Sequence, residues 1–146
     1  MVFFMEDTGE LFTGDSILGQ GTAVFESLSI YLSSLKKQLD LNPTTLYPGH
    51  GPVIRGAETA RGKIQEYITH RQQREDEIIK VIADNGQDTA ISAMDIVKVI
   101  YAQYPQSLWP AAERGVLLHL QKLKDEGKAN ELAKGKWILV PRHSAL

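Results

Sequence analysis

The 146-residue chain contains no cysteine. That removes disulfides, thiolate metal sites and a Cys nucleophile in one step and fits a reducing compartment. No apolar run approaches the roughly 20 residues needed to cross a bilayer. No Lys or Arg precedes Lys36, so neither a basic signal-peptide start nor an Arg-rich mitochondrial presequence is expected in this stretch. Charge of one sign is also lacking. The net charge is −2; residues 1–62 hold four Lys/Arg against seven Asp/Glu and residues 63–146 hold twelve against eleven. Neither part is a basic nucleic-acid module by charge, and nothing draws the chain to an anionic membrane. No internal repeat or low-complexity segment occurs. What remains is a soluble-type composition, 42% hydrophobic and 23% charged, enough for one ordinary domain or two small ones.

Periodicity divides the chain into two parts. Val2 to Met5 and Glu10 to Thr13 flank Glu6-Asp7-Thr8-Gly9, which predicts strand, turn and strand. The second strand runs into Gly14-Asp15-Ser16, so Asp15 is expected at a strand end. Leu28, Leu32, Leu35 and Leu39, spaced four, three and four, predict a helix with Lys36, Lys37 and Gln38 toward water. Thr44 to Tyr47 is β-prone and leads into the Pro-Gly loop Pro48-Gly49-His50-Gly51-Pro52. A long helix is expected from about Thr59 to Ala83, polar in its middle. Ser92 should cap a helix from Ala93, with Asp95 completing a capping-box variant. Pro110 should open a further helix that ends at Gly127. Lys128 to Leu132 and Trp137 to Val140 read as a two-stranded ribbon. Helix, helix, helix and ribbon is the order of a winged helix-turn-helix. The expected fold class is α/β, with a first domain over 1–62 and a linker helix and winged helix over 63–146.

Phe12-Thr13-Gly14-Asp15 after a hairpin, then Tyr47-Pro48-Gly49-His50-Gly51-Pro52 after a helix and strand, resemble the last two metal-site motifs of the metallo-β-lactamase superfamily. Gly14 to Thr22, Tyr67-Ile68-Thr69-His70-Arg71 and His119 to Lys128 are similar to its lactamase-beta-like subfamily, whose members end in a winged helix. The resemblance covers essentially the whole chain. It implies the second half of an αββα sandwich followed by a winged helix. It also implies a two-zinc site in the complete fold, with Asp15 bridging the ions and His50 binding the second. Two close cations need an anionic bridge, and neutral imidazole ligates without adding charge.

The family's His-x-His-x-Asp-His cluster and a further His, all before the Gly-Asp motif, have no counterpart here. The four histidines are His50, His70, His119 and His143. The chain therefore looks like an internal start, a truncated isoform or a fragment, with no complete catalytic set of its own. Two protein ligands are too few for a stable catalytic zinc. Asp15 and His50 are the expected metal ligands, against the plainer alternatives of a turn cap and a surface histidine. Thr22, His70 and Arg71 are candidates for substrate contact. For Thr22 the alternative is a turn former, and for the other two a solvated face or an ion pair with Glu66 or Glu75.

The group includes an animal mitochondrial endoribonuclease and fungal polyketide thioesterases. The implied substrates of the complete enzyme are therefore single-stranded RNA or, alternatively, an acyl thioester on a carrier, and the implied compartment is intracellular, mitochondrial or cytoplasmic. A non-catalytic module is the other class, either a homo-oligomer, a partner of a full-length subunit or a nucleic-acid-binding winged helix. Half a sandwich should leave apolar sheet surface bare, with Val2, Phe3 and Phe4 as candidates. Against DNA reading, Arg114, Lys122, Lys124 and Lys128 are offset by Glu113, Asp125 and Glu126. His119 and both tryptophans, Trp109 and Trp137, read as packing residues.

Overall fold

The computed structural model describes residues 1–19, 23–86 and 88–141. The chain forms two compact units, Met1–Gln72 and Gln73–Leu146. The division falls inside one continuous helix, beyond the residue-62 boundary expected from sequence, because nothing in a helix's own periodicity marks where its packing partners change.

In the first unit, β1 (Phe3–Met5) and β2 (Glu10–Gly14) form an antiparallel hairpin. Gly9 turns it at φ 70°, a conformation with little cost for glycine. Helix α1 (Leu28–Asp40) then carries the chain back to β3 (Thr45–Pro48), which lies parallel to β2. A short β4 (Ile54–Arg55) pairs antiparallel with β3 and completes a sheet of order β1-β2-β3-β4. Two-residue strands carry no periodicity, so β4 is not legible in the sequence.

Strand alternation sorts the side chains. Leu11, Thr13 and Leu46 are buried, together with Leu28, Tyr31, Leu32 and Leu35 of α1 and Ala60, Ile64 and Ile68 of helix α2 (Ala57–Asp84). The opposite sheet face is partly open among the described residues. Phe3 is 65% exposed and Phe12 39%, with the Phe12 and Tyr47 rings stacked at 4.8 Å and Phe3 tilted against Phe12 at 6.2 Å. Of the expected bare residues only Phe3 is on this face; Val2 and Phe4 alternate to the other side and are half-buried.

Helix α1 begins where Ser27 Oγ accepts the Ile30 N–H. Its buried face runs through Leu28, Tyr31, Leu35 and Gln38, so the expectation that Gln38 faces water is wrong. It stands three residues after Leu35, on the core side of the turn, and its amide donates to Ser34 Oγ at 3.2 Å.

The second unit packs the end of α2, α3 (Ala93–Ile100) and α4 (Trp109–Asp125) with a sheet of order β5-β7-β6, from β5 (Ile91–Ser92), β7 (Lys136–Leu139) and β6 (Ala129–Leu132). Ile78, Ile82, Ile96, Val97, Val116, Leu120, Leu123 and Trp137 form its core. Ser92 caps α3 by accepting the Asp95 N–H at 3.1 Å, while its hydroxyl donates to the Asp95 carboxylate at 2.6 Å. The expected ribbon thus gains a third strand, β5, and the unit is a winged helix.

Candidate metal centre at the ends of two parallel strands

Parallel neighbours end on the same edge of a sheet, and α/β proteins place ligands beyond those carboxyl ends. Gly14 at the end of β2 pairs with Pro48 at the end of β3, so Asp15 and His50 emerge side by side. His50 Nε2 lies 3.5 Å from Asp15 Oδ1. Zinc bonds of about 2.0–2.2 Å at tetrahedral angles set a ligand-to-ligand edge of about 3.4 Å, which this spacing matches.

The loops that carry the pair are sewn to each other. The Gly49 N–H donates to Gly14 O at 2.9 Å, and the Gly19 N–H donates to His50 O at 2.8 Å. At Gly49 the two loops come close: a Cβ there would stand 2.8 Å from Asp15 Oδ1 and 3.2 Å from the Gly14 carbonyl carbon. Gly19 is the more constrained, since a Cβ would fall 2.6 Å from Pro52 O in the backbone. Below the loop, buried Thr13 donates its hydroxyl to Ile17 O at 2.8 Å. Tyr31 donates to Ser16 O at 2.8 Å, and the Tyr67 hydroxyl meets the Leu18 N–H and C=O, each at 3.2 Å. Burial pushes the Tyr31 phenol up to about 12, against the opposing pull of the Arg71 charge, so it remains a donor at any physiological pH. These supports escaped the sequence reading, although Thr13 sits inside the motif and Tyr31 borders the leucine stripe.

The donor chemistry fits one side of a metal centre. A hard carboxylate and an imidazole converge with side chains 74% and 75% exposed, leaving the remaining directions open. No group of three or more His, Asp or Glu able to hold an ion occurs among the described residues, and a catalytic zinc needs three protein ligands. Asp15 and His50 by themselves would be only part of such a set.

Of the other candidates, Thr22 lies outside the described residues, as does His143. His70 is exposed. Arg71 makes neither expected ion pair, because Glu66 bonds Lys63 at 3.1 Å and Glu75 bonds Lys122 at 2.8 Å. Its guanidinium instead covers the Phe25 ring, 5.0 Å from the centroid. In the winged helix, His119 and Trp137 are buried. Lys122 is bound to Glu75 and Glu126, Lys124 to Glu131 and Lys128 to Glu126.

The family description "Beta-lactamase associated winged helix domain" matches residues 92–137. The Beta-lactamase-like protein 2 homolog of Drosophila melanogaster is 51% identical over 120 residues, 82% of this chain and 40% of that protein. The Caenorhabditis elegans protein of the same description is 45% identical over 137 residues, 92% of this chain and 44% of its own length. The crystal structure of a metallo-beta-lactamase family protein from Thermus thermophilus superposes on 95% of this chain and 44% of that one, with a TM-score of 0.70 at 22% identity. The chain belongs to the metallo-β-lactamase superfamily. It corresponds to the carboxy-terminal half of that fold, with its winged helix, and spans about half the length of the curated relatives it matches, or less. No helix among the described residues is long and apolar enough to cross a membrane.

Proposed function

We propose that this chain supplies one side of the metal centre of a superfamily hydrolase, in which Asp15 and His50 would help to hold a divalent pair, and that the complete enzyme cleaves phosphodiester bonds of single-stranded RNA. The observation that carries the reading is the 3.5 Å approach of His50 Nε2 to Asp15 Oδ1 at the ends of adjacent parallel strands. Zinc is the expected metal, since a carboxylate and an imidazole suit it. A bound divalent pair supplies Lewis acidity, lowering the pKa of water and polarising the bond under attack. The chain's own part is positional. Thr13, Tyr31 and Tyr67 fix the loop that follows Asp15, and Gly49 brings the His50 loop against it.

The bare aromatic face supports the same reading. Phe3, Phe12 and Tyr47 lie on one side of the sheet, where Tyr47 donates its hydroxyl to the Glu10 carboxylate at 2.9 Å and Arg55, paired with Thr45, is the one basic residue of the four strands; a largely aromatic face of this kind suits packing against a second sheet better than stacking on nucleic acid. The paired lysines of the winged helix support a substrate-guiding or assembly role over sequence reading.

The test combines this chain with the amino-terminal portion of the Drosophila relative, in Zn²⁺ or Mn²⁺, on a single-stranded RNA. Metal-dependent cleavage is expected from the pair and is lost on Asp15→Ala or His50→Ala. The isolated chain should show neither useful turnover nor tight metal binding. Substantial turnover by the chain alone, or cleavage by the pair that survives both substitutions, refutes the assignment.

A further inference from the structure

Arg71 is a charged side chain the metal site does not use. It is half-buried, and its Nε is buried with no hydrogen-bond partner. No Asp or Glu side chain among the described residues comes within 4.0 Å of it, whereas Arg74 is paired with Glu77 at 2.7 Å. A guanidinium cannot shed its proton to escape burial. A partly buried cation without a counter-charge is unfavourable on its own, and such exceptions call for an explanation.

The surroundings hold the guanidinium rather than neutralise it. Phe25 and Tyr31 are stacked at 4.3 Å with an interplanar angle of 7°, and the guanidinium carbon lies 5.0 Å from one ring centroid and 6.0 Å from the other. Aromatic faces attract a cation and restrict its plane while leaving its N–H edges free to bind an oxyanion in a fork. Both supports reach the Asp15 loop. Tyr31 bonds the Ser16 carbonyl, and Tyr67, one helical turn before Arg71, bonds Leu18.

We infer that Arg71 is a phosphate-binding residue of the Asp15–His50 site, a fixed guanidinium that anchors a phosphate group of the substrate beside the bond to be cleaved. The inference rests on the metallo-hydrolase reading for its place in the reaction. The phosphate has two sources, the backbone of a nucleic-acid strand or the phosphate of a carrier arm that bears an acyl thioester.

The test uses the whole chain with EDTA present, so that no metal contributes. Inorganic phosphate, a uridylyl dinucleotide and pantetheine 4′-phosphate are titrated while the arginine side-chain N–H resonances are followed by NMR. Saturable shifts of the Arg71 signal are expected with inorganic phosphate. Arg71→Gln should weaken binding about tenfold or more, and Arg71→Lys, which keeps the charge and loses the fork, about threefold. Phe25→Leu should weaken it by a similar factor to Arg71→Lys, with the arginine still present. Tighter binding of the dinucleotide assigns the phosphate to a strand, and tighter binding of pantetheine 4′-phosphate assigns it to a carrier arm. Absence of saturable binding, or unchanged affinity in Arg71→Gln, overturns the inference. Because the titration needs neither metal nor turnover, failure of the hydrolase reading shows in the complementation assay and not here.

Discussion

Glu75 offers the sharpest test of how the winged helix is held together. Its carboxylate lies on α2 between two residues of α4. Lys122 Nζ is 2.8 and 3.0 Å from its oxygens, and His119 Nδ1 is 3.8 Å away. Burial pushes the Glu75 carboxyl up, but His119 and Lys122 more than reverse this and hold it at about 2, against an ordinary 4.5. At 3.8 Å the imidazole is beyond hydrogen-bond reach, so the ammonium contact is the stronger real cause. A full shift of that size corresponds to about 3 kcal/mol at neutral pH. Discounting the overlong histidine contact and the solvent around a half-buried group leaves about 2 kcal/mol. A folded value below the unfolded one contributes stability above pH 4.5 that is lost as pH falls toward 2. Glu75→Gln should therefore cost about 2 kcal/mol at pH 7, with Lys122 kept from isolation by Glu126 at 2.7 Å. The cost should shrink by more than half at pH 3. Urea unfolding followed by tryptophan fluorescence reads it cleanly, because Trp109 and Trp137 both belong to this unit. A cost that is the same at both pH values, or no cost at neutral pH, refutes the electrostatic account.

Two further outcomes follow from the first unit. Gly49→Ala puts a methyl 2.8 Å from Asp15 Oδ1, so that the carboxylate must swing aside, and 3.2 Å from the Gly14 carbonyl carbon; it should lower stability by about 1 kcal/mol and sharply reduce RNA cleavage in the complemented enzyme, whereas intact cleavage would show that the site tolerates the displacement. Replacing Phe3 and Phe12 together by Ser should sharply reduce self-association and hydrophobic-dye binding of the isolated chain, measured by light scattering and fluorescence, at small cost to its stability. Unchanged dye binding would mean that the aromatic face is not the bare surface.

Much of this was legible from residue order because each feature had a local cause. The hairpin followed from a glycine between two apolar runs, α1 from its leucine spacing, and α3 from Ser92 before an apolar stretch. The approach of Asp15 and His50 needed one more step: a strand, a helix and a strand of this length place the second strand parallel beside the first, so both strand ends share an edge. What stayed hidden depended on partners distant in sequence. Gln38 reads as polar helix surface until Ser16 and Ser34 are known to meet it. β5 has two residues and exists only because β7 offers Ile91 and Ser92 their partners. Arg71 and Glu75, one helical turn apart on α2, look in sequence like members of one solvated charge run. The fold gives them opposite fates. Glu75 meets an ammonium on α4, and its charge is spent on stability. Arg71 meets two aromatic rings and, among the described residues, no carboxylate, so its charge stays available beside the loop that carries Asp15. A helix surface that mixes both kinds of residue cannot be divided into structural and functional parts by composition, since the distinction lies in what each side chain touches.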